Sequence, residues 1–433
     1  MFDEYRKLIK EEYQIPDEII DLVYKTKEKI GPMLDHIDEI RKFNSLKVLK
    51  AFQSTNVQER HFIATTGYGN ADQGRDKLQE LFCTIFRCER AIVSPLLTSG
   101  THTIIMGLMG LLRPHDTLLS ISGPPYDTLI TSLGLDGVER PGSISEFLIN
   151  YDEVGLKDDF TFDIEKIKEK LINDPSVKVV HIQRSKGYIA RPALTIKDIK
   201  EACEAVRSVR KDVFITVDNC YGEFTETMEP TEVGADVIMG SMIKNPGAGI
   251  APTGGYICGT KRAIDIIETR FTTPSMGTEI GSYAYGYRNF FQGIYLSPTI
   301  VATALKGTVL ITQIFSDMGY PVSPDNDHVR SDIAQSIIFP DKDELIAFIR
   351  SVQRSSPIDS GAVPYPDMQA GYEDPIIMAS GSFIQGSTIE LSADAPIREP
   401  YTAYFQGGLT DESIELAVML ALKDIREKKG PVR

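Results

Sequence analysis

The stretch Val213-Phe214-Ile215-Thr216-Val217-Asp218-Asn219-Cys220-Tyr221 decides how the rest of the chain is read. Four β-branched residues and a phenylalanine make a short buried strand, and an acid follows them directly. A carboxylate buried at a strand end is costly without a partner. Asp218 therefore calls for a cation, either an arginine or a protonated ring nitrogen; a structural cap at the strand end explains the same residue. Runs of the same kind lie on both sides: Ala91–Pro95, Thr117–Ile121, Val177–Ile182, Val237–Met239 and Tyr256–Cys258. Between them, segments 101–112 and 195–210 have helical length and pattern. Strands alternating with helices imply βαβ units and an α/β fold with a mostly parallel central sheet covered on both faces. In such sheets ligands sit at the carboxyl ends of the strands.

Outside this region the pattern changes. Residues 1–60 read as helix, with Leu8, Tyr13, Ile19, Ile20, Val23 and Tyr24 near helical spacing and Pro16 and Pro32 interrupting. They are expected to form an N-terminal helical arm or interface element. Residues 61–290 make the large sheet domain, and 291–433 a smaller C-terminal α/β domain. The latter is expected to hold a helix at 301–318, strands at Ile376–Ser380 and Thr388–Ser392, and a closing helix at about 411–427 started by Thr410-Asp411. The long loop Pro357–Pro375 has the length of a functional loop.

Composition narrows the function. The 433 residues are 42% hydrophobic and 25% charged, the balance of a soluble globular chain. A formal net charge of −15 argues against a nucleic-acid or anionic-membrane binder, both of which need cationic faces. The N-terminus MFDEYRKLIKEEYQ has no apolar core of the signal-peptide kind, and the apolar run Ile104–Leu112 is too short to cross a bilayer. Five scattered cysteines (Cys83, Cys88, Cys203, Cys220, Cys258) with no CxxC pair suggest neither a disulfide framework nor zinc. A cytoplasmic location is expected. HExxH, GxSxG and P-loop motifs are absent, and Asp325-Asn326-Asp327-His328 lacks the glycine and final glutamate of a calcium loop.

Four strand ends carry complementary chemistry. Leu97-Thr98-Ser99-Gly100-Thr101-His102 opens a helix with two hydroxyls, a glycine and free N–H groups, as a phosphate cradle would; an ordinary Ser N-cap is the alternative. Ser122-Gly123-Pro124-Pro125-Tyr126-Asp127 is a rigid turn that can project Tyr126 to stack on a planar ligand, or bury it. Asp218 is the third. The fourth is Gly240-Ser241-Met242-Ile243-Lys244-Asn245-Pro246, whose Lys244 lies 26 residues after Asp218. There a lysine sits among apolar neighbours, and desolvation is expected to lower its pKa and make it nucleophilic. Together these fit a molecule with a phosphate, a planar ring, a basic ring nitrogen and an aldehyde, which is pyridoxal 5′-phosphate (PLP). Lys244 would form the Schiff base, Asp218 would hold the pyridine nitrogen, and Tyr126 would stack on the ring. Ser99, Gly100, Thr101 and Ser241 would bind the phosphate, and Tyr221 is placed to donate to the ring hydroxyl.

This order of motifs resembles the fold type I PLP enzymes of the cystathionine-lyase and methionine γ-lyase group. A closer resemblance rests on several segments: Gly67-Tyr68-Gly69 with Gly74-Arg75-Asp76, His181-Ile182-Gln183-Arg184-Ser185, Gly371-Tyr372-Glu373-Asp374-Pro375, and Ile384–Asp394 followed by Pro396-Ile397-Arg398. These resemble the methionine γ-lyase-like "aluminium resistance" proteins, described as cystathionine β-lyases or C–S lyases. The resemblance implies a three-layer PLP-dependent transferase fold and a homodimer or homotetramer with shared active sites. By the same resemblance, Tyr68 and Arg75 would reach a neighbour's phosphate site and Arg398 would bind the substrate carboxylate; a structural ion pair of Arg398 with Glu399 or Asp394 is the alternative. The chain departs from the broader group at Ile243, where a hydroxyl residue is usual, and from the closer family at Asn70 and Lys186. Lys186 follows the strand before Asp218 and is not the cofactor lysine. The expected reaction is elimination from a sulfur-containing amino acid: Lys244 takes the α-proton, and Tyr126 is a candidate acid if the leaving group is on Cγ. An aminotransferase and a non-catalytic PLP-binding or metal-stress protein are the rivals. A small amino-acid substrate is expected, with no metal, nucleic acid or membrane.

Overall fold

The computed structural model describes residues 3–138, 140–189, 191–369 and 374–429. The chain divides into two compact units, residues 43–298 and residues 1–42 with 299–433. The helices α1 (Asp3–Glu12), α2 (Asp17–Lys29) and α3 (Gly31–Ser54) open the chain. The unit boundaries fall at 42/43 and 298/299 rather than at 60 and 290. Ion pairs explain why the first helices join the C-terminal residues: Lys27 pairs with Glu415, Lys29 with Asp317 at 2.8 Å, and Asp38 with Lys306 at 2.8 Å.

In the larger unit, α4 (Gln73–Ile85) is followed by β1 (Arg90–Ser94), α5 (Gly100–Leu111), β2 (Thr117–Ser120) and α6 (Asp127–Leu133). Then come β3 (Asn150–Glu153), α7 (Ile164–Asn173), β4 (Val177–Gln183), α8 (Ile196–Val209), β5 (Phe214–Asp218), β6 (Val237–Ser241), β7 (Gly255–Gly259) and α9 (Lys261–Phe271). The sheet order is β1-β7-β6-β5-β4-β2-β3. Pairs from β3 through β6 are parallel, and β7 is antiparallel to both β6 and β1. The mostly parallel sheet expected from the sequence is therefore present. Its strands are apolar almost throughout because both faces are covered. On one face Met239 meets α5 so closely that a Cβ at Gly107 would lie 2.2 Å from its Sδ. On the other face the Tyr256 ring stacks on Phe86 just past α4, centroids 5.3 Å apart and planes 9° off parallel. Helix, sheet and helix make three layers. Only β3, an edge strand reading Asn-Tyr-Asp-Glu, departs from the apolar pattern.

The 30-residue helix α10 (Arg288–Asp317) crosses the boundary between the units. It starts well before the expected 301, and Pro298 lies inside it. A proline removes one helical hydrogen bond, but buried Phe290, Phe291, Ile294 and Val301 on both sides of it keep the helix continuous. By length and composition α10 could cross a membrane, yet 67% of its most apolar window is buried inside the protein. The smaller unit adds β8 (Val322–Ser323), β9 (Ala334–Ile338), α11 (Lys342–Ser355), β10 (Ile376–Ser380), β11 (Ser392–Pro396), β12 (Thr402–Gln406) and α12 (Asp411–Lys429). Its antiparallel sheet runs β10-β11-β12-β9-β8. The strand expected at Thr388–Ser392 begins only at Ser392, because residues 381–391 form turns closed by Glu390, which accepts from the amides of Phe383 and Ile384.

Candidate active site

The sequence-selected residues at the carboxyl ends of β1, β5 and β6 converge in the larger unit. The test is Gly100, the first residue of α5. A Cβ built on it would lie 3.4 Å from Cys220 Sγ, 3.5 Å from Ser241 Cβ and 3.9 Å from Lys244 Nζ. Three segments far apart in sequence thus meet around the one residue that carries no side chain. Close approach of a ligand to a helix N-terminus is what such a glycine permits.

Each donor has a local reason for its place. Ser99 is the N-cap of α5, and its Oγ accepts from the His102 amide at 3.1 Å. The cap consumes a lone pair and leaves the hydroxyl proton available, so capping and phosphate binding are compatible. Ser241 ends β6, and its Oγ accepts from the Ile243 amide at 3.3 Å, which likewise leaves its proton. Thr101 differs: its Oγ1 lies 3.0 Å from the Tyr126 hydroxyl. Tyr126 itself is fixed through its backbone, whose N–H donates to Gln183 Oε1 at 2.9 Å, while the Gln183 amide donates to Ser122 Oγ at 2.8 Å. Gln183, the last residue of β4, therefore ties the Pro124-Pro125 turn to the sheet.

Asp218 ends β5 buried, its Oδ1 accepting from the Cys220 amide at 3.0 Å. Burial pushes its carboxyl up, against the pull of Lys244 and of that amide. Tyr221 follows in the left-handed region, φ +72°. Its ring lies under Lys244, with Nζ 4.1 Å from the centroid. This cation–ring contact was not foreseen; from the sequence Tyr221 was expected to donate to a ring hydroxyl. The expected lowering of the lysine is also reversed. Burial alone would lower Lys244, but the acidic groups Cys220, Tyr221, Asp218 and Tyr126 crowd it and outweigh burial, holding its pKa well above the ordinary value. The lysine is thus held as a cation in an acidic cluster.

Other residues fall elsewhere. Tyr68 is 66% exposed on a loop whose Gly67 and Gly69 have positive φ. Arg75 is buried, and its Nη1 donates to the Gly69 carbonyl at 3.0 Å and the Gly281 carbonyl at 3.2 Å. Arg398 belongs to the smaller unit, where its Nη1 donates to Asp374 Oδ2 at 3.0 Å; the ion-pair partners offered by the sequence were Glu399 and Asp394. Of the Gly371–Pro375 motif, residues 371–373 lie outside the described residues. Lys186 is fully buried in the turn after β4. Asp325 and His328 pair with each other at 2.7 Å in an exposed turn, and among the described residues no group of three or more His, Cys, Asp or Glu could hold a metal.

Sequence reasoning gave no individual role to Gln183, Arg184, Cys220 or Glu223. Glu223 is buried next to the site loop, accepts from the Tyr256 hydroxyl at 2.6 Å, and is pushed by burial up to about 8. The one signal for two of them was the segment His181–Ser185, which carried a resemblance without a role.

The family model described as "Methionine gamma-lyase" matches residues 19–426. The chain belongs to the methionine γ-lyase family. That family is PLP-dependent, and its architecture, shared with this chain, is fold type I. A carbon–sulfur lyase involved in aluminium resistance from Clostridium novyi NT is 46% identical, with a TM-score of 0.94 over 98% of this chain and 100% of that one. A candidate cystathionine β-lyase involved in aluminium resistance from Clostridium acetobutylicum is 44% identical, with a TM-score of 0.94 over 98% of this chain and 99% of that one. At 17% identity the PLP-dependent protein YhfS of Escherichia coli shares the fold, with a TM-score of 0.61 over 90% of this chain and 96% of that one. The fold and family expected from the sequence are thus both present.

Proposed function

We propose that this chain is a PLP-dependent carbon–sulfur lyase acting on a sulfur-containing amino acid. The observation that carries the reading is the meeting of Lys244, Cys220 and Ser241 around Gly100, with Asp218 acting on Lys244. The residues fit the cofactor. Gly100 and the α5 amides, with the hydroxyls of Ser99 and Ser241, accept a phosphate. Tyr126 and Tyr221 supply aromatic faces, and the raised carboxyl of Asp218 is supported by a basic nitrogen. When bound, PLP supplies an electron sink that makes the α-proton of an amino acid acidic.

The protein groups do the rest. Lys244 is the base: as a free amine its Nζ would take the α-proton of the substrate amino acid. Asp218 would keep the ring nitrogen of a bound PLP protonated, because its own carboxylate is buried and is stabilised by a cation beside it. Tyr126, raised by burial and by Asp218, stays protonated at neutral pH and is the acid available to a departing thiolate. Its hydroxyl lies 3.0 Å from Thr101 Oγ1, which holds it in place. We further propose that two or more copies pair, with the exposed Tyr68 contributing to a neighbouring site.

Lys244→Ala should abolish turnover, read as thiol and keto-acid release from cystathionine, cysteine or methionine in the presence of added PLP. Full activity in that variant would sink the assignment. Amino transfer to a keto-acid acceptor without ammonia release would point to an aminotransferase built on the same residues.

A further inference from the structure

The buried guanidinium of Arg184 lies behind the site and is fully exposed to no solvent, yet every one of its donors is used. Nε donates to the Leu194 carbonyl at 3.3 Å. Nη1 donates to Asn219 Oδ1 at 2.8 Å and to the Gly222 carbonyl at 2.9 Å. Nη2 donates to Thr225 Oγ1 at 3.4 Å and to Glu226 Oε1 at 2.9 Å. An arginine has five N–H donors in a fixed fork, and four of these five bonds end on one stretch, residues 219–226. The backbone joins in, since the Arg184 amide donates to the Asp218 carbonyl at 3.2 Å. A Cβ at Gly222 would lie 2.5 Å from Nη1, so the loop is cut to fit the guanidinium.

That stretch needs holding. Tyr221 and Phe224 both have positive φ, +72° and +64°, a conformation that ordinary side chains rarely adopt. Buried Glu229 braces the same loop, accepting from the Phe224 amide at 3.0 Å and from Asn219 Nδ2 at 3.1 Å, with Arg184 3.9 Å away. The strained residue at the front of the loop is the one whose ring supports Lys244.

We propose that Arg184 is a positioning residue that fixes the 218–226 loop and thereby sets Asp218, Cys220 and Tyr221 around Lys244. It touches none of the reacting atoms. The inference deepens the cofactor-site reading above and rests on it for its functional meaning, but its physical content can be read without the cofactor.

The test uses Arg184→Lys and the double variant Arg184→Met/Glu229→Gln, the latter so that the fully buried Glu229 carboxylate is not left facing an apolar side chain. Two readouts are taken. The first is the pH midpoint of Lys244 acetylation in cofactor-free protein, followed by peptide mass spectrometry. The second is PLP affinity, with the pH dependence of the visible band. The expected result is a displaced Lys244 midpoint in both variants, smaller for Arg184→Lys because an ammonium replaces only part of the fork. PLP affinity should fall by about tenfold or more, the usual cost of losing a residue that orients a ligating group. Circular dichroism should remain that of the wild type. Folded variants with the wild-type midpoint and wild-type affinity would overturn the proposal. If the double variant does not fold, Arg184→Lys decides alone. If the wild type takes up no PLP, the cofactor reading fails while the Lys244 midpoint still decides on Arg184.

Discussion

At the scale of single residues, the site is an acidic cluster around one lysine, and two substitutions read its energetics directly. Gly100→Ala places a methyl at ordinary contact distances, 3.4–3.9 Å, from Cys220, Ser241 and Lys244. The fold should tolerate it, with a stability change within about 0.5 kcal/mol, since alanine is the better helix former. The same methyl fills the phosphate cradle, so PLP affinity measured by visible titration should fall by about tenfold or more. Unchanged affinity would mean that the cradle lies elsewhere. Glu223 reports through pH. Its carboxyl ionises at an ordinary 4.5 when unfolded and at about 8 when folded. Between those values the folded chain keeps a proton that the unfolded chain has lost, so stability is full at low pH and is lost as pH rises through 8. The melting temperature of Glu223→Gln should therefore decline less than that of the wild type between pH 5 and 9; parallel declines would refute the raised value.

Most of the residues proposed for the cofactor site stand out in the sequence, because each sits where a short apolar run stops. Ser99, Asp218, Ser241 and Lys244 are all of this kind. What could not be read is how they act on one another. The lysine was expected to be depressed because its sequence neighbours, Met242, Ile243 and Pro246, are apolar. Its spatial neighbours are Asp218, Cys220, Tyr221 and Tyr126, and their acidity wins. Likewise Arg75 and Arg398 carry charges whose partners, backbone carbonyls and Asp374, no spacing rule could supply.

At the scale of elements, strands buried on both faces announced themselves. β1, β4, β5 and β6 follow the apolar runs to within two residues at each end. The elements that were missed have mixed faces. β3 is a polar edge strand, and β9, Ala-Gln-Ser-Ile-Ile, and β12, Thr-Ala-Tyr-Phe-Gln, interleave polar residues in a sheet whose pairing is long-range. The helix α5 shows what close packing demands. A Cβ at Gly110 would lie 2.9 Å from the Cα of Ile267 in α9, so the two helix backbones would have to separate. Gly110→Ala should cost about 1–3 kcal/mol in a urea melt, as overpacking does. Gly107→Ala meets only the flexible Met239 thioether and should cost less. Equal costs would show that the α5–α9 crossing yields more easily than its backbone distance implies.

At the scale of the whole molecule, the chain is two units, residues 43–298 and residues 1–42 with 299–433. The first helices read as an arm or interface element, and the pairs Lys27–Glu415, Lys29–Asp317 and Asp38–Lys306 join them to residues 299–433. The proposed sharing of sites between copies is tested by mixing. Tyr68→Ala and Lys244→Ala proteins, dissociated and reassembled together, should regain activity that neither has alone; no regain would confine each site to one chain. The central claim, that Lys244 is the cofactor lysine of a PLP enzyme, has a more direct test. Protein loaded with PLP is reduced with borohydride, digested, and mapped by mass spectrometry. The account predicts a pyridoxyl group on Lys244 and on no other lysine. A label on Lys186, or none on any lysine, would contradict it.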